Sequence, residues 1–255
     1  MMENSEFVIE ITDLTHRFPG GIKGVDKVSL SIRKGAFVIM AGPNGSGKTT
    51  LLRHLNGLVM PSEGDVRIKG IPVKGNLLRA RRMVGMVFQD ADSQIVGDTV
   101  GEDAAFGPRN LGLSQEEVDR RVEEALSAVG LLRLRDLPPH VLSGGEKRRL
   151  AVAGVLAMRP RMIVFDEPLS SLDYPSARQV LGQIVAFHSR GGTVLLITHE
   201  LDRVLAHAGR LVLMEAGRVV RDGPPEEVLP HVESAGVRRP PRLLAVPSMT
   251  WLERS

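Results

Sequence analysis

One glycine-rich stretch decides the fold: Gly42-Pro43-Asn44-Gly45-Ser46-Gly47-Lys48-Thr49-Thr50. It matches the pattern GxxxxGK[ST], in which successive backbone N–H groups wrap a chain of phosphates. The apolar run 36–41 before it predicts a buried strand, and residues 51–57 after it predict a helix that ends at a glycine. Strand, loop and helix are the context that this pattern requires, so the sequence predicts a nucleotide-binding α/β fold.

The residue types of this loop suit a nucleotide bound together with Mg²⁺. Glycines allow the turns that point several N–H groups inward, and the start of the following helix adds partial positive charge. We expect Lys48 to neutralise the β- and γ-phosphates and the hydroxyl of Thr49 to ligate Mg²⁺.

The composition bounds the class of protein. The chain has 255 residues, 42% of them hydrophobic, which suits one large domain or two small ones. Cysteine is absent, which excludes disulfides and thiolate metal sites. No apolar run is long enough to span a membrane, and residues 1–6 lack the basic and apolar parts of a signal peptide. We therefore expect a cytoplasmic protein.

The charge gives only weak support for a nucleic-acid partner. The net charge is +3, and the densest basic clusters are 79–82 and 238–242. No aromatic residues interleave with these clusters as a stacking platform requires. We expect solvated surface or contact with anionic lipid headgroups there, and no nucleic acid.

The residues before the loop predict a separate antiparallel lobe. Two stretches within 7–35 alternate with period two, and a turn at 19–21 separates them. Phe18 stands at the tip of the first stretch. Its ring either belongs to the core or stacks on a purine base.

Residues 90–157 show helical spacing in place of the strand patterns before them, which predicts a helical insertion between two strands. A capping box at 114–117 begins one helix. The insertion ends with Leu142-Ser143-Gly144-Gly145-Glu146 and a helix that continues to Met158. Ser143 would cap that helix, and the two glycines expose the backbone at its start. This segment is either a second anion site or a simple capping turn.

Polar side chains follow three apolar strands. Residues 162–167 end in Asp166 and Glu167, residues 83–88 precede Gln89, and residues 193–198 precede His199. Mg²⁺ beside the phosphates would compensate Asp166, and Glu167 is then suited to orient or deprotonate a water. Because His199 leaves the same sheet edge as Gln89 and Glu167, we expect it near the γ-phosphate.

The last third of the chain predicts a helix, a hairpin and a tail. Asp173 precedes a helix that continues to Arg190, and residues 211–220 form a hairpin pattern. Residues 234–255 are rich in Pro and Arg, which indicates a loosely packed tail or a protein-contact segment.

Taken together, these motifs resemble the ATPase subunit of an ABC transporter over residues 7–230. The matching segments, all in the family order, are Phe18 as the adenine-stacking aromatic, Gly42 to Thr49 as the Walker A loop, Gln89 as the Q-loop, Leu142 to Glu146 as the signature, Met162 to Glu167 as the Walker B strand, Ser171-Leu172-Asp173 as the D-loop and His199 as the switch histidine.

The resemblance implies an α/β fold, a P-loop NTPase with a RecA-like core, an antiparallel β lobe and a helical ABC subdomain at about 90–157. It places the ATPase domain at 1–235 and a tail at 236–255. It also implies a head-to-tail homo- or heterodimer, with ATP between the Walker A loop of one chain and the signature of the other.

The resemblance also implies a role for each site residue. The expected Mg²⁺ ligands are Thr49, Gln89 and Asp166. The expected catalytic residues are Glu167, His199 and Gln89. The nucleotide would be held by Phe18, by the loop from Gly42 to Thr50, and by Ser143, Gly144, Gly145, Glu146 and Asp173.

Residues 88–94 and 102–108 resemble the energy-coupling factor branch, which drives uptake of cobalt, nickel or vitamins. That likeness implies a transmembrane coupling subunit, a substrate-binding membrane component and a position on the cytoplasmic face of the membrane. The acids of these segments would face the coupling helices: Asp90, Asp92, Glu102 and Asp103. The chain departs from the usual family pattern at Phe18, where Tyr is frequent, and at Lys147, where Gln is common.

Three alternatives stay open. Nucleic-acid machines of the superfamily insert coiled coils between Walker A and the signature, whereas residues 89–142 show no heptads. Regulatory cassettes tend to lose the catalytic acid or the switch histidine, and both are present here. An ordinary ABC importer or exporter is disfavoured only by residues 89–108.

Overall fold

A computed structural model describes residues 5–240 and 245–252. The strands are β1 (Phe7–Arg17), β2 (Lys23–Arg33), β3 (Phe37–Ala41), β4 (Glu63–Ile68), β5 (Ile71–Pro72), β6 (Val84–Val87), β7 (Met162–Asp166), β8 (Thr193–Ile197), β9 (Arg210–Glu215) and β10 (Arg218–Gly223). The helices are α1 (Lys48–Leu55), α2 (Leu77–Met83), α3 (Val100–Asn110), α4 (Gln115–Ala128), α5 (Gly144–Ala157), α6 (Tyr174–Ser189) and α7 (Pro225–Val228).

The central sheet has six strands in the order β10-β9-β3-β8-β7-β6. All neighbouring pairs in it are parallel except β9 with β10, which form the predicted antiparallel hairpin. The strands β3, β7 and β8 are buried along their whole length. Parallel strands covered on both faces read as continuous apolar runs, which is why these strands were visible in the sequence.

The sheet separates two hydrophobic cores because side chains alternate along each strand. Phe37 and Ile39 of β3 face the core formed with α3 to α6. Val38 and Met40 of the same strand face the core formed with α1 and the smaller sheet. The β3 strand that precedes the glycine-rich loop is thus fixed from both sides.

The smaller sheet has the order β2-β1-β4-β5 and is antiparallel throughout. It is the predicted antiparallel lobe. Phe18 lies in the connection between β1 and β2, where its N–H donates to the carbonyl of Ile22 at 2.8 Å. The turn holds the ring at the end of the lobe, and Phe18 is 43% exposed. Its interpretation as a core residue is therefore wrong.

The predicted helical insertion is present and contains α3, α4 and α5. Thr99, Ser114 and Ser143 each cap one of these helices by accepting a hydrogen bond from a backbone N–H three residues later. Such caps stabilise a helix by about 1 kcal/mol each. The three helices pack on one face of the central sheet through the larger core.

The C-terminal segment packs more closely than the sequence indicated. Met249 is 1% exposed and belongs to the larger core. The Cζ of Arg203 lies 3.9 Å from the ring centroid of Trp251, and the backbone N–H of Trp251 donates to the carbonyl of Arg203. The expectation of a loosely packed tail is therefore wrong for residues 245–252. Residues 241–244 and 253–255 of that tail lie outside the described residues.

Within the described residues, no helix combines the length and the apolar character needed to cross a bilayer.

Candidate functional site

A cavity of about 360 Å³ opens where the parallel strands end, beside the glycine-rich loop. Its lining brings together most of the residues that the sequence singled out: Phe18, Asn44, Gly45, Ser46, Gly47, Lys48, Thr49, Thr50, Gln89, Asp166, Glu167 and His199. Apart from Phe18, which follows β1, these residues follow β3, β6, β7 and β8, whose carboxyl ends share one sheet edge. Ligands of open parallel sheets bind at this edge.

Two glycines of the loop are required by close backbone contacts. A Cβ on Gly47, which has a φ of 95°, would lie 2.2 Å from the carbonyl oxygen of Gly24. A Cβ on Gly42 would lie 2.2 Å from the carbonyl oxygen of Met214. The loop is therefore wedged between the small sheet and the β9–β10 hairpin. Its N–H groups are held in place before any ligand binds.

Lys48 is folded onto the loop and is only 8% exposed. Its ammonium donates to the carbonyl oxygens of Gly42 and Pro43, at 2.8 Å each, and to the hydroxyl of Ser46 at 3.2 Å. Burial lowers the pKa of Lys48, and the nearby carboxylates of Glu167 and Asp166 oppose that shift. A bound polyphosphate would give this cation the anionic partner that the loop carbonyls only partly replace.

Asp166 lies at the end of β7, opposite the start of α1. Its carboxylate accepts a hydrogen bond from the hydroxyl of Thr49 at 2.9 Å. Burial raises the pKa of Asp166, while the bond from Thr49 and the charge of Lys48 oppose that rise. A second positive charge at this point would favour the ionised carboxylate further.

Glu167 follows in a strained backbone conformation, with a φ of 50°. Its Oε1 lies 2.8 Å from Nδ1 of His199. Its Oε2 is buried and has no hydrogen-bond partner among the described residues. Strain at one residue and a buried acceptor without a partner are features of functional sites. This oxygen is free to accept a proton or a hydrogen bond from a bound water.

The side chains at this point suit Mg²⁺. The Thr49 hydroxyl, the Asp166 carboxylate and the Gln89 amide supply oxygen ligands to the same cavity, and oxygen is what this ion prefers. The described residues contain no group of three or more His, Cys, Asp or Glu side chains that would hold a metal by themselves. This is expected for an ion that takes much of its coordination from phosphates and water.

The sequence analysis missed Ile22, Lys23 and Gly24, which line the cavity next to Phe18. Lys23 donates to Asp26 at 2.7 Å, and Arg218 forms a second ion pair with Asp26 at 2.6 Å. Hydrogen bonds from Lys23 and Arg218 lower the pKa of Asp26 to about 2. The one feature of the sequence that could have indicated Lys23 as a cavity residue is its position directly after the Phe18 turn.

The signature residues lie outside this cavity in the single chain. Ser143 and Glu146 form a reciprocal capping box at the start of α5, with Ser143 N–H to Glu146 Oε2 at 2.8 Å. A Cβ on Gly145 would meet the Ser176 hydroxyl of α6 at 2.6 Å. Asp173 caps α6 by accepting from the N–H of Ser176 at 3.0 Å. Both helix starts are therefore prearranged, and neither reaches the phosphate loop of its own chain.

A second groove connects Gln89 to the signature helix. It is lined by residues that follow β6, by the start of α5 and by the turn after Glu167: Gln89, Asp90, Ala91, Asp92, Gly144, Lys147, Arg148, Ser170, Ser171 and Leu172. Arg148, which is buried, donates to the carbonyl of Phe88 at 2.5 Å, and Lys147 pairs with Asp92 at 2.5 Å. These contacts fix the Gln89 loop against α5.

The structure separates Asp103 from the other three acids of this region. Asp90, Asp92 and Glu102 are exposed, whereas Asp103 is 8% exposed. The Oδ1 of Asp103 accepts from the N–H groups of Val96 and Gly97 at 2.7 and 3.1 Å. Asp103 therefore fixes a loop, and the expectation that it faces a partner is wrong.

We expect Asp103→Ala to destabilise the protein by about 1–3 kcal/mol, because two backbone donors lose their acceptor. Glu102→Ala changes the exposed neighbour and should cost less than about 1 kcal/mol. Urea unfolding of both variants measures the difference. Equal stability of the two variants would show that the Asp103 bonds contribute little.

The fold and the site define a nucleotide-binding protein of the P-loop NTPase class. Residues 25–170 match the family model described as ABC transporter. That match covers more than half of the chain, and the chain belongs to the ABC transporter family of ATP-binding proteins.

Relatives and solved structures agree with this assignment. The chain is 43% identical over 231 residues to the energy-coupling factor transporter ATP-binding protein EcfA of Methanocaldococcus jannaschii, covering 89% of this chain and 83% of that protein. A structure of cbiO1 from Clostridium perfringens, described as part of the ABC transporter complex cbiONQ, has a TM-score of 0.80 at 32% identity. It covers 90% of this chain and 93% of that one.

A dimeric ATP-binding cassette in a post-hydrolysis state, bound to ADP and Pi, has a TM-score of 0.77 at 30% identity. That match covers 85% of this chain and 98% of that one. The fold, the family match and the phosphate loop all indicate the same activity. This chain is an ATP-binding ATPase of the ABC type.

Proposed function

We propose that this chain is the ATP-hydrolysing subunit of an energy-coupling factor type uptake transporter. For hydrolysis, the observation that carries the proposal is Glu167, which is bonded to His199 and keeps one buried oxygen free beside the phosphate loop. For the transporter type, support comes from the relatives named EcfA and cbiO1.

In the proposed mechanism, the loop N–H groups and Lys48 hold the β- and γ-phosphates, and Phe18 stacks on the adenine. Thr49, Gln89 and Asp166 would hold Mg²⁺, which would neutralise charge on the phosphates. Glu167 accepts a proton from the attacking water through its free oxygen. His199 holds the other oxygen of Glu167, which fixes the direction of the carboxylate.

We propose that the site becomes complete only in a head-to-tail dimer. In the single chain, Ser143 and Gly145 lie at a capped helix start outside the phosphate cavity. The start of a helix is an anion site. Placed against the γ-phosphate of a second chain, it would supply the positive potential that an arginine finger supplies in other NTPases. The proposed dimer brings the D-loop with Asp173 to the same interface.

Ser143→Arg tests this arrangement. We expect the variant to bind ATP as a dilute monomer with an affinity close to wild type, because its own phosphate loop is unchanged. We expect hydrolysis to fall by on the order of 100-fold or more, because the arginine side chain displaces the signature from the partner's nucleotide and the cap is lost. Equilibrium binding and phosphate release measure the two quantities. Loss of ATP binding in the monomer would contradict a site in which the signature of one chain acts on the ATP of the other.

The chain would act at the cytoplasmic face of a membrane, joined to a transmembrane coupling subunit and a substrate-binding membrane component. The exposed acids Asp90, Asp92 and Glu102 flank the Gln89 loop. Arginines on a partner would pair with them, and truncating one member of a desolvated pair costs about 2–5 kcal/mol. Movement of the Gln89 loop would be transmitted to the nucleotide cavity through Gln89, and to the signature through Arg148 on α5.

We therefore expect Asp90→Ala and Glu102→Ala to weaken assembly with the membrane subunits and to lower substrate uptake. The ATPase rate of the isolated chain should stay within about twofold of wild type, because neither residue lines the phosphate cavity. Glu123→Ala, an exposed acid on α4, is the matched control. Normal assembly and uptake in both variants would reject this docking surface.

The proposed function as a whole is tested by tagging the chain in its native cell and purifying it from detergent-solubilised membranes. We expect integral membrane subunits to co-purify in a fixed ratio, and Mg-ATP hydrolysis to accompany them. Recovery of the chain only in the soluble fraction would contradict the transporter assignment. An ordinary importer or exporter is the alternative, and the identity of the recovered subunits distinguishes it.

A further inference from the structure

A second cavity lies at the opposite edge of the central sheet. It has a volume of about 500 Å³, larger than the nucleotide cavity at about 360 Å³. One side is formed by α4 and the end of α5, including Leu156. The other side is formed by the end of α6 and by the segments that enter β7 and β8, including Phe187 and Arg161. The cavity therefore lies between the helical subdomain and the core.

Four arginines line this cavity: Arg121, Arg159, Arg161 and Arg190. Two of them have carboxylate partners: Arg121 bonds Glu117 at 2.6 Å and Arg159 bonds Glu124 at 2.6 Å. In the part of the chain that the structure describes, the guanidiniums of Arg161 and Arg190 have neither a hydrogen bond nor an ion pair. Among residues 5–240 and 245–252, the cavity therefore carries two arginines without an acidic partner.

Part of the cavity lining is apolar. Leu156, Pro160 and Phe187 contribute to it. A Cβ on Gly192 would lie 2.3 Å from the ring of Phe187, so glycine at this position is what lets the ring lie flat against the backbone. Ligand sites are typically 300–1,000 Å³ in volume and mainly apolar, with a few placed polar groups. This cavity lies within that volume range, its lining is divided between apolar and polar surface, and its polar groups include four arginines.

Two strands connect the cavity to the nucleotide site of the same chain, and two helices connect it to the signature and the D-loop. The β7 strand begins next to Arg161 and ends at Asp166, and β8 begins after Gly192 and ends before His199. The α5 helix runs from the signature to the cavity, and α6 runs from the D-loop to the cavity. A ligand here would touch the far ends of the elements that hold the catalytic residues.

We propose that this cavity is a binding site for a small organic anion that joins one or two acidic groups to an apolar or aromatic body. The acidic groups pair with Arg161 and Arg190, and the body lies on Phe187 and Leu156. Because the ligand contacts both the helical subdomain and the core, its binding stabilises their packing. The site is separate from the nucleotide cavity and requires no second chain.

Two fluorescent probes of matched shape test the proposal, 8-anilinonaphthalene-1-sulfonate and its neutral counterpart N-phenyl-1-naphthylamine. The nucleotide cavity is saturated with ADP throughout. We expect the sulfonate to bind with one-to-one saturation and to raise the melting temperature. We expect Arg161→Ala/Arg190→Ala to lower the affinity for the sulfonate by roughly tenfold or more. The affinity for the neutral probe should stay within about twofold of wild type.

Two control variants make the outcome decisive. Arg109→Ala/Arg133→Ala removes the same charge from exposed positions elsewhere and should not change sulfonate binding. Ala128→Trp fills the cavity from α4 and should abolish binding of both probes in a folded protein. Sulfonate binding that survives Arg161→Ala/Arg190→Ala and Ala128→Trp overturns the proposal. An equal loss in Arg109→Ala/Arg133→Ala, or equal affinity of the two probes for wild type, also overturns it.

Discussion

Glu167→Gln is expected to bind Mg-ATP normally and to lose turnover by roughly 10²–10⁴-fold. The amide keeps the size of the side chain and can still bond His199, but it cannot accept a proton from water. Because ATP then persists between the two chains, the variant should accumulate as a dimer. Phosphate release measures the turnover, and size-exclusion chromatography with and without Mg-ATP measures the dimer.

Glu215→Gln is the matched control for this experiment. It makes the same chemical change at an exposed carboxylate on the last residue of β9, and it should hydrolyse ATP at the wild-type rate. If Glu167→Gln also hydrolyses ATP at that rate, Glu167 is not the residue that activates water.

Lys48→Ala is expected to weaken Mg-ATP binding by about 3 kcal/mol or more, on the order of 100-fold in Kd. The ammonium is buried in the loop, and its removal leaves the phosphates without their main cation. Isothermal titration calorimetry measures the affinity, and thermal melting confirms that the variant is folded. Lys34→Ala, at an exposed lysine just before β3, should bind ATP as wild type does. A folded Lys48→Ala protein with wild-type affinity would contradict the nucleotide assignment.

The strands and the phosphate loop were predictable because their signals are local. Buried parallel strands are continuous apolar runs, and the loop residues are fixed by short-range geometry. Ser143 is a further example, since its capping box with Glu146 is contained in four consecutive residues. The order of the motifs then indicated that their side chains meet at one sheet edge, and the cavity brings most of them together.

The errors concern residues whose environment is set by distant contacts. Asp103 was grouped with exposed acids, but the fold turns it towards the N–H groups of Val96 and Gly97. The segment with Trp251 was interpreted as a loosely packed tail or a protein-contact segment, whereas Trp251 packs on Arg203 and Tyr174 of the same chain. Neither contact leaves a periodic pattern in the sequence.

Lys23 and the arginine-lined cavity were missed for a related reason. Lys23 belongs to none of the sequence motifs, and it lies at the nucleotide cavity only because of the turn at Phe18. Arg121 and Arg190 are far apart in the sequence and meet only because α4 and α6 pack on the same face of the sheet. Such assemblies require the three-dimensional arrangement of several elements.

The central claim is that ATP is hydrolysed in a site that two chains build together. The most direct test mixes Lys48→Ala with Ser143→Arg, each inactive alone. A mixed dimer would contain one site with an intact phosphate loop and an intact signature, so activity should return to about a quarter of wild type at equal amounts. If each chain carried a complete site of its own, mixing would restore nothing. An inactive mixture of two folded proteins would therefore contradict the account.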